Sequence, residues 1–394
     1  MTTTTGRPPR RPRDRKAQIL VAAVECFHRS GYQATGMEDI AAAVGITAGA
    51  LYRHFRSKRE LLGQALLSSS ERLMEAVQQP ADLDSLVRAV FTFTLDHRSY
   101  AAVWWKETRH LTPEQQTEVR GRHAKLAFDI AAALRASRPG VDPAAADLIS
   151  WAVLALAASS SFHGTELPRP QFDELLRRLA SALCQAEPDP AVCAEVPQTE
   201  AGSGLTPSSR REALLVAAIP LFAERGYQAV SMEEIGAAAG VSRLSVYHYF
   251  VGKGELLAAA LHRESEMRWG ALTRDLGLSA TADDGLRKVL HTYAESTVRG
   301  KGVAELLRVG EVAHLAEAER EALHRSQVDY VAEWVALLTA CHPALGQNEA
   351  RVVVHAALAL LNMLPRLAVL ENRADPVAIV VALSSAVLEA AADL

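Results

Sequence analysis

The chain has little of what would fasten it covalently or through a metal. Its four cysteines, Cys26, Cys184, Cys193 and Cys341, form no Cys-x-x-Cys pair and have no histidine at zinc spacing. The thiols are therefore expected to be reduced and structural, with no metal or cofactor. Long apolar runs are also missing. The most apolar stretch, Val352 to Leu364, contains His355 and Asn362 and stops at Pro365-Arg366, short of the roughly 20 residues a membrane span needs. The N-terminus is Thr-rich and then Arg/Pro-rich, without the apolar core of a secretory signal, so the expected location is the cytoplasm. No large charge of one sign is present: the net charge is −4. Any nucleic-acid contact must then come from a local basic face. Phosphate loops and nucleophile elbows are absent, and Ser159-Ser160-Ser161 near His163 reads as the polar end of a helix, so no catalysis is expected.

Alternating, period-2 patterns are lacking too, which excludes an ordinary sheet protein. Apolar residues at helical spacing take their place, as in Ile19, Leu20, Ala23, Val24 and Phe27. The fold class is all-α. Helix starts are marked by Thr112-Pro113-Glu114-Gln115, Asp142-Pro143 and Asp375-Pro376, each a side-chain cap followed by a first-turn proline.

The stretch Gly31 to Leu62 recurs from Gly226 to Leu257 at a constant offset of 195 residues. Gly31-Tyr32-Gln33-Ala34 returns as Gly226-Tyr227-Gln228-Ala229, and Gly45, Tyr52, Phe55 and Lys58 return as Gly240, Tyr247, Phe250 and Lys253. Solenoid units run about 20–50 residues, so this period means two copies of a whole protomer. Further on, His110-Leu111 corresponds to His314-Leu315 at an offset of 204. Between the copies the chain carries Pro188, Pro190, Pro197, Pro207, Gly202 and Gly204, a composition that reads as a linker. As a coil it spans roughly 25–30 Å, and about 80 Å fully extended. The expected organisation is a basic disordered arm at 1–13, a first reader at 14–62, a first helical region at 63–186, the linker at 187–208, a second reader at 209–257 and a second helical region at 258–394.

Within each copy, a short helix from Met37 to Val44, a turn at Gly45, a cap at Thr47 and a second helix ending near Phe55 make a helix-turn-helix. Ser242 is the capping counterpart of Thr47. The run Ile46-Thr47-Ala48-Gly49-Ala50-Leu51-Tyr52-Arg53-His54-Phe55-Arg56-Ser57-Lys58 resembles the DNA-binding domain of the TetR repressor family, and Val241-Ser242-Arg243-Leu244-Ser245-Val246-Tyr247-His248-Tyr249-Phe250-Val251-Gly252-Lys253 resembles it a second time. The resemblance covers about fifty residues per half. It implies two TetR-like halves, each a DNA-binding domain plus a helical effector-binding and dimerisation domain, acting on double-stranded DNA as a repressor released by a small molecule. Residue by residue, it implies groove contacts from Ala48, Gly49 and Arg53 and from Arg243, Leu244 and His248. Phosphate contacts are implied for Tyr52, His54 and Lys58 and for Tyr247, Tyr249 and Lys253.

The copies are unequal. Residues 7–62 hold eleven Lys and Arg against five acids, whereas 209–257 hold five of each. Arg243 is able to pair bidentately with guanine, while Ala48 and Gly49 offer only apolar or backbone contact, so an asymmetric operator is expected. The arm Arg7-Pro8-Pro9-Arg10-Arg11-Pro12-Arg13 either enters a minor groove or binds phosphate without specificity. Pro220 stands where the first copy has Glu25, which suggests a kinked, weaker second reader.

Candidate effector-pocket residues are Trp104, Trp105, Arg109, His110, His123, Phe128 and Trp151 in the first half. In the second they are Glu311, His314, Trp334, His355, Asn362 and Met363, and core packing is the alternative role for each. The apolar helices at about 142–163 with 170–187 and 347–371 with 375–393 suit a four-helix interface. If they pair within one chain, the molecule is an intrachain pseudo-dimer, whose readers would address grooves about 34–36 Å apart. Paired between chains, they give a homodimer with four readers. The competing reading is a ligand-sensing or protein-binding module whose second reader no longer touches DNA.

Overall fold

The computed structural model describes residues 12–78, 82–196, 207–300 and 311–393, so most of the basic arm lies outside the described residues. Among the described residues there is no strand, only an isolated bridge between Glu195 and Arg373. Two compact units are present, one made of residues 12–78 with 93–126 and the other of 82–92 with 127–393.

The first reader is built from α1 (Pro12–Ala34), α2 (Met37–Ala43), α3 (Ala48–Tyr52) and the start of α4 (Lys58–Ala76). Gly45 turns the chain at φ +69°, a conformation only glycine adopts without strain. The Thr47 hydroxyl then accepts from the Ala50 amide at 3.2 Å and caps α3. Ile19, Phe27, Ile40, Leu51, Phe55, Leu61 and Leu62 close the core, each 1% exposed or less. After α5 (Leu83–Asp96), helices α6 (Arg98–Glu107) and the first part of α7 (Pro113–Ser137) complete this unit, with α6 packed on α1 and α4.

The second reader repeats the design with α11 (Arg210–Arg225), α12 (Met232–Ala238), α13 (Arg243–Tyr249) and the start of α14 (Lys253–Gly277), following α8 (Pro143–Ser159), α9 (Arg169–Gln185) and α10 (Pro190–Cys193) in the chain. Its core residues Leu214, Phe222, Ile235, Val246, Phe250, Leu256 and Leu257 stand 195 positions after their counterparts and are as deeply buried. Gly240 turns at φ +65° and Ser242 caps α13 through the Ser245 amide. The kink expected from Pro220 does not break α11, which continues to Arg225. Pro220 and Val216, whose carbonyl loses its donor, are both exposed, so water can satisfy it.

Helices α15 (Ala282–Arg299), α16 (Glu317–Cys341), α17 (Gln347–Met363) and α18 (Pro376–Glu389) complete the second half. Against α17 and α18 pack α8 and α9, which belong to the first half by sequence. The reason is composition: α8 is alanine-rich and buried nearly all round from Ala145 to Ser159, as is α17 from Ala350 to Met363. A helix without a polar side must be covered on every face. Both end sooner than their apolar patterns suggested, α8 at Ser159 and α17 at Met363, where Pro365 starts a 3-10 turn instead of kinking a longer helix.

The linker needs a correction. Residues 187–196, expected as its first part, are folded: Asp189 caps α10, Cys193 is fully buried, and Ala194 and Val196 exchange backbone hydrogen bonds with Ala374 and Asn372. Arg373 Nη1 also donates to the Cys193 carbonyl at 2.8 Å. Of the prolines that suggested a coil, Pro190 instead sits at the first position of α10, where a missing amide costs nothing.

The two readers differ where α12 meets α13. An alanine Cβ at Gly236 would stand 2.7 Å from Val246 Cγ2 and 2.9 Å from the Val241 carbonyl oxygen, whereas the first copy has Ala41 at this place. Alanine would gain about 1 kcal/mol of helix propensity but incur about 1–3 kcal/mol of overpacking. Gly236→Ala is therefore expected to lower the midpoint of chemical denaturation, and an unchanged or raised midpoint would contradict the close packing.

Candidate functional site

Each helix-turn-helix presents a polar face on a fixed core. On α3 and the residues after it, Thr47, Gly49, Tyr52, Arg53 and His54 are exposed and Ala48 is half-buried. On α13, Ser242, Arg243, Leu244, Tyr247, His248 and Tyr249 are all exposed. Beside the caps Thr47 and Ser242, these are ten of the twelve contact positions implied by the resemblance, gathered on and next to one helix in each copy. The faces are chemically unlike: Leu244 and Val251 are 83% and 85% exposed, and Arg243 Nε is held at 2.9 Å from Glu233 on the preceding helix. A guanidinium so placed must exchange that carboxylate for a base edge before it reads one. Such an exposed pair contributes about 0–1 kcal/mol, a weak hold on the guanidinium.

The remaining two positions, Lys58 and Lys253, are placed differently. Lys58 Nζ donates to the Gln33 and Thr35 carbonyls at 3.1 and 3.0 Å and lies 4.6 Å from the centre of the Tyr32 ring. Burial pushes its ammonium below the usual lysine range. Lys253 Nζ donates to the Tyr227 carbonyl at 2.7 Å and lies 4.5 Å over that ring. In both copies this ammonium ties the start of one helix to the end of another, inside the reader. It is not aimed outward at a phosphate.

The other face of each tyrosine carries a histidine: Tyr32 stacks on His110 at 4.4 Å and Tyr227 on His314 at 4.5 Å. In the first copy the Tyr32 amide also donates to Glu107, which is buried, and Arg59 donates to the Leu111 carbonyl. Burial, with Arg109, Lys58 and Arg59 nearby, pushes His110 down to about 4. Its 3.5 Å contact with Glu107 is therefore no ion pair at neutral pH. His110 and His314 thus join reader to helical region, a role that their matched sequence positions alone could have indicated.

The other pocket candidates disperse. Trp104 stacks on His123 at 3.9 Å, and His123, fully buried, bonds the Tyr100 hydroxyl and faces the Val119 carbonyl. Burial pushes His123 down to about 4, a neutral core histidine. Trp105 meets Trp104 edge-on, whereas Trp151 belongs to the other compact unit. In the second half Trp334 is fully buried, Asn362 bonds the Tyr293 hydroxyl, and His355 stacks on His163 between α17 and the end of α8. The Glu311 side chain lies outside the described residues. None of these residues lines the cavity of about 360 Å³ that opens between α14 and α16, walled by Leu261, Ser265, Arg268, Trp269, Ser326 and Tyr330 among others. The missed signal is Arg268, a guanidinium on the inward face of α14.

Comparison with known proteins agrees with the repeat. The family model described as "Bacterial regulatory proteins, tetR family" matches twice, at residues 19–65 and 214–260. The chain is 30% identical over 170 residues to the HTH-type transcriptional activator FasR of Mycolicibacterium smegmatis, covering 41% of this chain and 77% of that protein. It is 35% identical over 74 residues to the HTH-type transcriptional repressor KstR2 of the same organism, covering 19% of this chain and 36% of that protein. Among solved structures, the TetR family regulator PfmR of Thermus thermophilus matches at 23% identity and a TM-score of 0.38, over 45% of this chain and 97% of its own. Among the described residues, no helix is long and apolar enough to cross a membrane.

Two substitutions separate the inward lysine from the outward tyrosine. Lys58→Met removes charge-assisted bonds to two carbonyls and is expected to destabilise the first reader by about 1–3 kcal/mol. Tyr52→Phe, at an exposed position, should leave stability within about 0.5 kcal/mol. Denaturant titrations check both, and an unaltered Lys58→Met would remove the structural role given to that lysine.

Proposed function

Because the chain belongs to the bacterial tetR family of regulatory proteins and carries the family's reader twice, we propose that it is a one-component transcription regulator, acting as a repressor on an operator with two unlike half-sites. The observation that carries this reading is the pairing of one repeated core with two different exposed faces. Ala48, Gly49 and Arg53 meet the groove on one side, and Arg243, Leu244 and His248 on the other. Tyr52, His54, Tyr247 and Tyr249 supply phosphate contacts that set register without reading sequence. In its functional form the chain is an intrachain pseudo-dimer, a reading supported by the packing of α8 and α9 on α17 and α18.

A small effector in the helical region lowers DNA affinity by favouring an arrangement of the readers that misses the grooves. The joints His110–Tyr32–Lys58 and His314–Tyr227–Lys253 give that change a route, since a shift after α6, or after α15 in the second half, moves a ring that the reader's own lysine holds.

The second reading, in which α13 no longer touches DNA, draws on the zero local charge of residues 209–257 and on the Arg243–Glu233 pair. Mobility shifts with Tyr52→Ala against Tyr247→Ala decide between them, because only a two-reader protein loses affinity with both. In binding-site selection the optimum is expected to be non-palindromic. Arg243→Ala should relax the preference at a single half-site by about 1–3 kcal/mol, or roughly fivefold to 150-fold. A perfect palindrome as optimum would sink the asymmetric operator.

A further inference from the structure

The cavity between α14 and α16 has the volume of a site for a small ligand, about 360 Å³, and its hydrogen-bonding state restricts what enters. Three of its polar side chains satisfy one another: Ser326 Oγ accepts from Trp269 Nε1 at 2.9 Å and shares a hydrogen bond with Ser265 Oγ at 2.8 Å. Arg268 is the exception. Its Nε reaches Glu264 at 3.2 Å, but its Nη2, buried from solvent, has no acceptor. A guanidinium does not deprotonate, so this donor remains a donor at any physiological pH. Leaving it unmet is costly, because a buried donor without an acceptor has lost its water and gained nothing in exchange.

The charges on the cavity wall are matched. Arg268 pairs with Glu264, Arg320 with Glu317 at 4.0 Å, and Glu321 with Arg325 at 3.5 Å. No counter-ion is called for, and a carboxylate brought beside the Arg268–Glu264 pair would leave an uncompensated charge in a half-enclosed space. What its buried side-chain atoms lack is one acceptor, for Arg268 Nη2. The rest of its wall suits a flat apolar body, with Leu261 beside the Trp269 and Tyr330 rings set edge to face at 5.6 Å.

The first half has closed the same place. At offsets of 195 and 204, Ser265 corresponds to Ser70, Arg268 to Leu73 and Ser326 to Arg122. The Arg122 guanidinium spans from α7 to α4, donating to the Leu67 carbonyl at 2.7 Å, to Ser70 Oγ at 2.8 Å and to Glu118 at 2.6 Å. It fills the gap that the two serines leave open in the second half.

We propose that the second-half cavity binds an uncharged, largely apolar molecule with a carbonyl-type acceptor directed at Arg268 Nη2, once per chain. This rests on the effector-responsive reading above and gives the effector a chemistry.

Isothermal titration of the full chain, without DNA, tests it with three probes on one skeleton: butyrophenone, 4-phenylbutyrate and butylbenzene. Butyrophenone should bind at one per chain and at least tenfold more tightly than the acid or the hydrocarbon. Arg268→Lys keeps the charge facing Glu264 but loses the forked donor, and should weaken butyrophenone at least tenfold. Ser326→Arg copies the first half and should abolish binding while leaving the thermal melt and the operator mobility shift intact; it also serves if Arg268→Lys fails to fold. No saturable heat with butyrophenone, equal or tighter binding of the acid or the hydrocarbon, an unaffected Ser326→Arg, or two sites per chain would each overturn the proposal. Failure of the wild-type mobility shift would instead sink the regulator reading and leave the titration standing.

Discussion

Two helices with no polar side set the architecture. α8 and α17 are buried over almost their whole length, and the neighbouring helices of the same half leave each with a face to cover. Each is roofed partly by the other, with α9 and α18 closing the flanks. At about 25 cal/mol per Å² of apolar surface removed from water, separating such helices would expose more than a marginally stable domain tolerates. The small side chains of these helices allow the backbones to approach closely. The extra contacts made by residues 189–196 then add to an interface that already exists.

The readers show how stability and recognition part company after duplication. Seven core positions per copy keep their burial across 195 residues, because a lost methylene in a close-packed core is felt at once. A cation over the same phenylalanine also persists, Lys16 over Phe55 and Arg211 over Phe250. The exposed positions are free of that constraint. Ala48 has become Arg243 and Gly49 has become Leu244, or the reverse, without disturbing the turn at Gly45 and Gly240.

Much of this was legible in the sequence because it is local. Helical periodicity, cap residues and the turn glycines depend on neighbours within a few positions, and the repeat supplied the turn and its cap twice, as Gly45 with Thr47 and Gly240 with Ser242. Lys58 was misplaced because its partners are the carbonyls of Gln33 and Thr35, and a backbone acceptor leaves no mark in composition. The pocket residues failed for a related reason: large aromatics such as Trp334 and His123 attract the eye, yet their size fits them to fill a core. The cavity between α14 and α16 lies instead beside two small residues, Ser265 and Ser326. The first part of the linker misled because proline at a helix start and proline in a coil look alike until a partner such as Arg373 is seen.

The docked segment has a mechanical consequence. With residues 189–196 folded against 372–375, only ten residues, 197–206, connect the halves, reaching at most about 36 Å. The first half is then joined to the second twice over, by this short bridge and by packed surface, and the bridge is the dispensable member. Cut between Val196 and Pro207, the two parts would still be held together by the packing of α8 and α9 on α17 and α18.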